Sequence, residues 1–522
     1  MNEQKDESSD QTRPSDFGPV PKPKSKTNKF AFLCAILASM SSILLGYDTG
    51  VMSGAAIYIK EDFKLSDVEV EILVGIINLY SLIGAAAAGR TSDLIGRRYT
   101  MVLAGVIFFV AAVLMGLATN YAFLMFGRFV AGIGVGYALM IAPVYTTEVA
   151  PTSSRGFLTS FPEVFINSGV LLGYVSNYAF FKLPTHLGWR FMLGIGIFPS
   201  VFLILIVLIM PESPRWLVLQ GRLADATVVL HRTSDSLHDA QLRLIDIKQA
   251  AGIPSDCTDP IIHLPKRRRG GQDVWKYLFL HPTPAVRHIL ISVIGIHFFQ
   301  QASGIDAVVL YSPRIFEQVG ITSSNHKLLA TMAVGFSKTI FILIATFLLD
   351  KIGRRRLLLT SVSGKILSLI SLGFGLLFVN RSQWAVGFCI AMVLSDVAFF
   401  SMGMGPIAWV YSSEIFPLKL RAQGASIGVI VNRVTSGVVG MTFISLYKAI
   451  TISGAFFLFG GVAVVSWLFF YFVLPETRGR TLEEIEGLFG NFLWKFEKNN
   501  NVEKDDGGNG IQLRSSNLNS TV

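Results

Sequence analysis

FFQQASGIDAVVLYSP, residues 298–313, lies inside an apolar run long enough to cross a membrane. It nevertheless carries Gln300, Gln301, Ser303, Asp306 and Tyr311 around a central glycine, Gly304. Lipid offers polar groups no partners, so such a helix must face the interior of a bundle or a wet cavity. Gly304 and Pro313 mark a candidate broken helix of the kind that lines a site near the bilayer midplane. Two amides can also serve as hydrogen-bonding glue between helices. The acid that follows them favours a binding helix.

The rest of the chain agrees with a membrane setting. Of its 522 residues, 51% are hydrophobic and only 15% charged, with mean hydropathy +0.53. At about 20 apolar residues per crossing, the apolar runs account for roughly twelve helices. The net charge of +10 does not point to nucleic acid, because the basic residues fall in loops between apolar runs, as the positive-inside rule describes. Cys34, Cys257 and Cys389 are too far apart for a disulfide framework or a metal site. No Walker loop, metal spacing or nucleophile elbow is present, so no enzyme, catalytic residue, metal or cofactor is expected. Gly132-x-Gly134-x-Gly136 falls in a membrane helix, where small residues mean close packing.

Taken in order, residues 1–29 are a polar tail expected to be disordered and not a cleaved signal. A six-helix bundle is expected over 30–210, with runs near 30–53, 71–90, 99–119, 121–147, 158–181 and 189–210. A cytoplasmic stretch over 211–285 follows. A second six-helix bundle over 286–474 has runs near 286–316, 326–350, 357–379, 384–412, 422–447 and 452–474. Residues 475–522 form a polar tail. Lysines of the N-tail, Arg90, Arg97 and Arg98, the run 266–269, Lys351 to Arg356, and Lys419 with Arg421 fall on one side, whereas the loop from Lys60 to Glu71 is net acidic. Both termini are therefore expected in the cytoplasm. Within 211–285, Ser213-Pro214 resembles a helix start, and apolar residues from Trp216 to Leu230 recur at helical spacing, as does a segment over 239–251. Amphipathic helices under the membrane domain fit this pattern, and so does a solvated loop with some helix. The fold expected is an all-α membrane protein of twelve transmembrane helices in two bundles, with a cytoplasmic helical domain between them.

The chain also repeats itself. Asp93-Leu-Ile-Gly96-Arg97-Arg98 recurs as Asp350-Lys-Ile-Gly353-Arg354-Arg355. Glu148, ahead of Arg155, recurs as Glu414 ahead of Arg421, and Pro211-Glu212 recurs as Pro475-Glu476. Shared order and nearly equal offsets indicate two homologous halves. In that register Asp48 faces Asp306, so residues 298–313 belong to the second copy of the first helix. Gly96 and Gly353 permit tight turns. The arginines can reach acids and helix ends nearby, forming a cytoplasmic gate of Asp93, Arg97, Arg98, Glu148, Arg155, Asp350, Arg354, Arg355, Glu414 and Arg421. Such ties are expected to hold while the molecule faces outward and to break when it opens inward. The arginines could instead serve topology alone.

Together these residues resemble the sugar porter family of the major facilitator superfamily. The motifs are GRTSDLIGRR (89–98), GRFVAGIGVG (127–136), PVYTTEVAPTSSRG (143–156), PESPRW (211–216), QQASGID (300–306), LLDKIGRRR (348–356), GPIAWVYSSEIFP (405–417) and PETRGRTLEEIE (475–486). The resemblance implies alternating access around a central site, with a polyol or sugar and a proton as partners, a lipid bilayer around the chain and a functional monomer. Gln300, Gln301 and Trp409 match the family's binding pattern. Four positions depart from hexose carriers. Asp306 stands in place of Asn, Glu163 in place of Gln, Met404 in place of Trp, and Asn432-Arg433 in place of an amide-Trp pair. The chain is similar to plant polyol and monosaccharide transporters in this respect. A linear polyol has no ring face to stack on an aromatic, and its hydroxyls suit added hydrogen-bonding groups. Glu163 and Arg433 could also pair structurally.

Asp48, in the first helix beside Tyr47 and Gly46, is an acid in lipid depth, with Arg128 of the fourth helix as its expected partner. In the family's proton symporters an acid and an arginine stand at these positions, so the resemblance implies that Asp48 carries the proton. A fixed ion pair is the alternative. The expectation is therefore a proton-coupled symporter for linear polyols such as sorbitol, mannitol or xylitol, extending to inositol and monosaccharides. A passive facilitator or, more distantly, a nutrient sensor is the rival. The plasma membrane is expected, with the vacuolar membrane as alternative. The sequon Asn380-Arg381-Ser382 lies in a loop too short for glycosylation.

Overall fold

A computed structural model describes residues 28–151, 155–254, 257, 259–262, 282–379, 382–416, 420–477 and 489. The tail before residue 28, the basic run 266–269, Asn380, Arg381, Lys419 and residues 478–486 lie outside the described residues, as do the side chains of Arg155, Asp350 and Arg421.

The chain is all-helical in its architecture, with a single isolated bridge, Arg222 to Ile261, among the described residues. Among the described residues, eleven helical stretches are long and apolar enough to cross a membrane. The first is α1 (Lys29–Ser39) with α2 (Ser41–Phe63), followed by α3 (Asp67–Ile95), α4 (Arg97–Gly116) and α5 (Tyr121–Val149). After a single turn, α6 (Arg155–Leu158), comes α7 (Phe161–Phe180). The sixth crossing is α8 (Thr185–Gly194) with α9 (Ile197–Val207). α7 completes twelve crossings although it is not apolar enough to stand out. Its Glu163, Asn167, Ser168, Ser176 and Asn177 dilute the signal; Ser176 accepts from Tyr47 and Asn177 donates to the Gly50 carbonyl of α2, while Asn167 and Ser168 donate to carbonyls of α7 itself. It packs tightly on α2, where a Cβ on Gly46 would come within 1.9 Å of the Ile166 carbonyl oxygen. Small residues let the two backbones touch.

The first crossing runs further than its apolar residues suggest. α2 continues through Lys60, Glu61 and Asp62, expected in a loop, until Lys64 adopts a left-handed conformation (φ 53°) and stops it. A helix end that has left the lipid needs no apolar residues to persist. Ser66 then starts α3 through a reciprocal capping box with Glu69.

Between the halves lie α10 (Pro214–Leu219), α11 (Leu223–Thr233) and α12 (Leu237–Ala251), so the helical alternative is the one found. Ser213 caps α10 by accepting from the Trp216 N–H. The three helices bury Leu217, Val218, Leu223, Ala226, Val229 and Ile253 together. They dock on the first half. Trp216 Nε1 donates to the Asp93 carbonyl, and Arg243 donates to the carbonyls of Glu148, Val149 and Ala150 at the end of α5.

The second half consists of α13 (Pro284–Ala302), α14 (Ile305–Gln318), α15 (Ser324–Ile352), α16 (Arg354–Phe378), α17 (Gln383–Phe399), a widened π turn (Phe400–Met404), α18 (Gly405–Ile415), α19 (Arg421–Ile450) and α20 (Ile452–Val473). The seventh crossing is α13 plus α14. It breaks at Gly304, whose φ of +84° suits glycine and whose absent Cβ leaves room for the Phe459 ring. A second irregularity falls at Tyr311, two residues before Pro313. An even number of crossings puts the two ends of the membrane domain on one side, here termed the termini side.

Candidate functional site

The break at Gly304 places two amides at the end of α13 and an acid in the first turn of α14. Gln300 Nε2 donates to the carbonyls of Met404 (3.1 Å) and Gly405 (2.8 Å), bracing the widened turn. Its Oε1 accepts from Asn432 Nδ2 at 2.6 Å. Asn432 Oδ1 in turn accepts from Gln301 Nε2 (3.2 Å) and from Arg433. Gln301 Oε1 is buried and has no hydrogen-bond partner among the described residues. Its geometry is that of a group held in place and left with hydrogen-bonding capacity for something else. Met404 is fully buried, its sulfur near Ser303 Oγ. Gln300, Gln301, Met404, Asn432 and Arg433 thus come together.

Asp306 accepts from Ser436 on α19. Arg433 Nη1 crosses to Asn78 on α3 at 3.2 Å, joining the halves. Glu163 on α7 shares this interior with the charges of Lys338, Arg433 and Asp306. Glu163 and Arg433 retain partial exposure although protein encloses them, so they face an internal space. Trp409 stands one helical turn beyond Met404, where its ring meets His297 edge-on at 5.0 Å.

Asp48 forms a separate arrangement. Both of its oxygens accept from Arg128 Nη1, at 2.8 and 2.7 Å, and both residues are buried. Arg128 also donates to the carbonyls of Leu73 and Val74 on α3. A charge pair out of water needs these extra partners.

The duplicated motifs form matching networks on the termini side. Arg97 meets Glu148 (2.9 and 3.1 Å) and Asp93 (3.3 Å). Arg354 meets Glu414 (3.3 and 2.9 Å). Glu212 accepts from the N–H groups of Arg97, Arg98 and Ser213, and Glu476 does the same for Arg354, Arg355 and Thr477. Each Pro-Glu thus places a carboxylate at the N-terminus of a helix two motifs away in its own half. Burial pushes the Glu212 carboxyl above the usual carboxylate range, against the pull of its N–H donors. Gly96, at φ +95°, is required here, since a Cβ would lie 2.3 Å from a Glu212 oxygen. Among the described contacts these ties join helices of one half only. Within each half they tie the start of one helix to the end of another.

The contacts between halves lie elsewhere. At the far side, Asp67 gathers Lys60, Arg314 and Lys448. Glu71, 1% exposed, accepts from the N–H (2.7 Å) and hydroxyl (2.5 Å) of Ser445. Tyr174 donates to the Val309 carbonyl at 2.7 Å. Sequence reasoning missed Lys338, Asn78, Asp67, Glu71 and the fully buried pair Lys365–Asp396 (2.9 Å). A charge at mid-run was the available signal for Lys338 and Lys365.

Residues 34–489 match the family model described as sugar (and other) transporter. Polyol transporter 5 of Arabidopsis thaliana is 64% identical over 483 residues, covering 92% of this chain and 90% of that one. The chain belongs to the sugar transporter family. This is a family of membrane transporters, not of enzymes. The glucose transporter GlcP of Staphylococcus epidermidis is 32% identical over 88% of this chain and 97% of its own. Among solved structures, the major facilitator proton:xylose symporter XylE, bound to 6-bromo-6-deoxy-D-glucose, superposes with TM-score 0.74 at 28% identity. The match covers 89% of this chain and all of that one. The twelve-helix major facilitator fold is therefore the fold of this protein.

Proposed function

We propose that this transporter couples the uptake of linear polyols to the entry of a proton by alternating access. The far side would be the outside and the termini the cytoplasm of a plasma-membrane carrier. The observation that carries the reading is the Asp48–Arg128 ion pair, buried within the first half and apart from the hydrogen-bonding array of the second. Protonation of Asp48 would loosen its hold on Arg128 within the first half and so favour rocking of the halves. Gln300, Gln301, Asn432 and Arg433 would hold hydroxyls, with Asp306, Glu163 and Lys338 around them and Met404 packing the floor. Trp409 would act through His297. The duplicated charge networks would keep each bundle rigid while the two move. The similarity to a polyol transporter and to a proton:xylose symporter supports both parts of this reading.

The energetics suffice. Roughly 2.3 kcal/mol per 100 mV and about 1.4 kcal/mol per pH unit accompany each proton. At gradients typical of a plasma membrane, one proton per polyol supports accumulation on the order of a thousandfold. The test is Asp48→Asn in proteoliposomes with labelled D-sorbitol. Accumulation should fall to equilibration while sorbitol counterflow persists. Concentrative uptake by the variant would sink the coupling role and favour a passive carrier.

A further inference from the structure

The site just described has one feature that ties its two parts together. A cavity of about 30 Å³ lies between the halves, and Asp48, Asn78, Arg128, Asp306 and Arg433 line it together with Thr49. Its volume accommodates a single water molecule, and its walls supply the several polar partners a buried water requires. Carboxylates from the first and the seventh crossing, at equivalent positions of the repeat, therefore open onto one chamber.

We propose that Asp306 is a second proton-accepting group of this carrier, linked to Asp48 through one water in that chamber. The proposal rests on the symport reading above. Asp306 Oδ2 accepts from Ser436, and no described protein donor reaches its Oδ1. Both oxygens of Asp48 are held by the same arginine nitrogen, so each retains a lone pair for a further donor. The transfer is balanced. A protonated Asp306 gives its proton to the water, and the water gives one of its own to Asp48. The water is unchanged, and one carboxylic acid replaces another.

The surrounding charges make the position of the proton matter. Asp48 comes from α2, Arg128 from α5, Glu163 from α7, Lys338 from α15 and Arg433 from α19. α13 turns His297 to Ser412 and His288 to backbone carbonyls, and α17 turns Asp396 to Lys365. Three acids thus face three cations, and the enclosed set is neutral when every member is ionised. One added proton gives it a net positive charge wherever the proton sits. Movement from Asp306 to Asp48 frees Asp306 to accept from a polyol hydroxyl and at the same time loosens Arg128. Substrate binding and proton loading are then steps of one exchange.

The experiment uses the full chain in proteoliposomes with D-sorbitol, comparing wild type with Asp306→Asn, Asp306→Glu and Asp48→Asn. The KM for sorbitol is followed as pH rises, and infrared difference spectra on acidification record the carboxylic acid C=O band without any need for transport. In Asp306→Asn the rise in KM over two pH units should be at least about tenfold smaller than in wild type, with loss of one carboxyl band. Asp306→Glu should retain both signals, which separates titration from damage to the fold. Superposition of the Asp306→Asn profile and spectrum on those of wild type would overturn the proposal. If Asp48→Asn still concentrates sorbitol, the symport reading fails independently, and the infrared band alone then decides whether Asp306 takes a proton.

Discussion

The first and seventh crossings occupy equivalent places in a duplicated chain and have been put to different uses. α2 is continuous from Ser41 to Phe63, and its acid is locked to an arginine of its own half. The seventh crossing is broken at Gly304, and its polar groups point into a network that spans α13, α18 and α19. An unbroken helix satisfies its own backbone, so its one charge must find a side-chain partner. A broken helix can present amides next to carbonyls of a neighbouring turn, and hydroxyl-bearing ligands need groups of that kind. The duplication thus supplied two equivalent helices, one kept rigid around a charge and one opened for hydrogen bonding.

The sharpest way to break this comparison is to remove one partner of the locked charge. Arg128→Met leaves Asp48 buried without compensation and should cost roughly 3–5 kcal/mol. Thermal unfolding in detergent measures it. The double variant Asp48→Asn/Arg128→Met leaves no charge in the pocket and should recover most of the loss. A single variant as stable as wild type would mean that the pair is not the fixed element of the first half.

A smaller effect is expected on the open helix. Gln300→Ala removes donors to two carbonyls and the acceptor for Asn432. Each unpaired buried group is worth about 1–3 kcal/mol, but an internal space that admits water can repair part of this. The KM for sorbitol should therefore rise about tenfold or more, with a smaller change in unfolding temperature than Arg128→Met produces. The reverse order of the two variants in stability would show that the amides are structural glue.

Much of this contrast was legible in the sequence because its signals are local or repeated. The glycine among polar residues at 300–306, the duplicated Asp-x-x-Gly-Arg-Arg and the lone Asp48 each stand out against apolar surroundings. Even the pairing of Asp48 with Arg128 followed from their depth in lipid. The roles of Glu212 and Glu476 did not. They are carboxylates after a proline, and only the packing of one helix end against another shows that they receive the N–H groups of Arg97 and Arg354. Lys338 escaped for a different reason. A single lysine does not erase the hydropathy of a 26-residue span, and its value depends on facing Glu163 across the boundary between halves. α7, expected from the run 158–181, shows the opposite effect, since its polar residues lower its apolarity below that of the other crossings. Periodicity and composition report what a helix shows to lipid, while a transport site consists of what it hides.

The contact between the two halves sharpens the comparison further, and here the effects should be smallest. Asp67 begins α3 and draws on Arg314, near the end of the broken crossing, and on Lys448 at the end of α19. The cluster therefore fastens the second half to the first at the far side. Lys448 is largely exposed, and pairs of this kind are worth about 0.2–1 kcal/mol each. Asp67→Asn should accordingly leave the unfolding temperature nearly unchanged. It should raise reagent access to a cysteine placed at Leu310 from the far side several-fold, because a shift of about 1 kcal/mol between two conformations alters their ratio by roughly fivefold. Glu71 offers the control within the same interface. It is buried and accepts two hydrogen bonds from Ser445, so Glu71→Gln, which keeps one acceptor, should open the far side more than Asp67→Asn does. If access is unchanged in both variants, the halves are held together at mid-membrane by Arg433–Asn78 and Tyr174–Val309, and the locked and open helices would then be separated by the site itself and not by a latch above it.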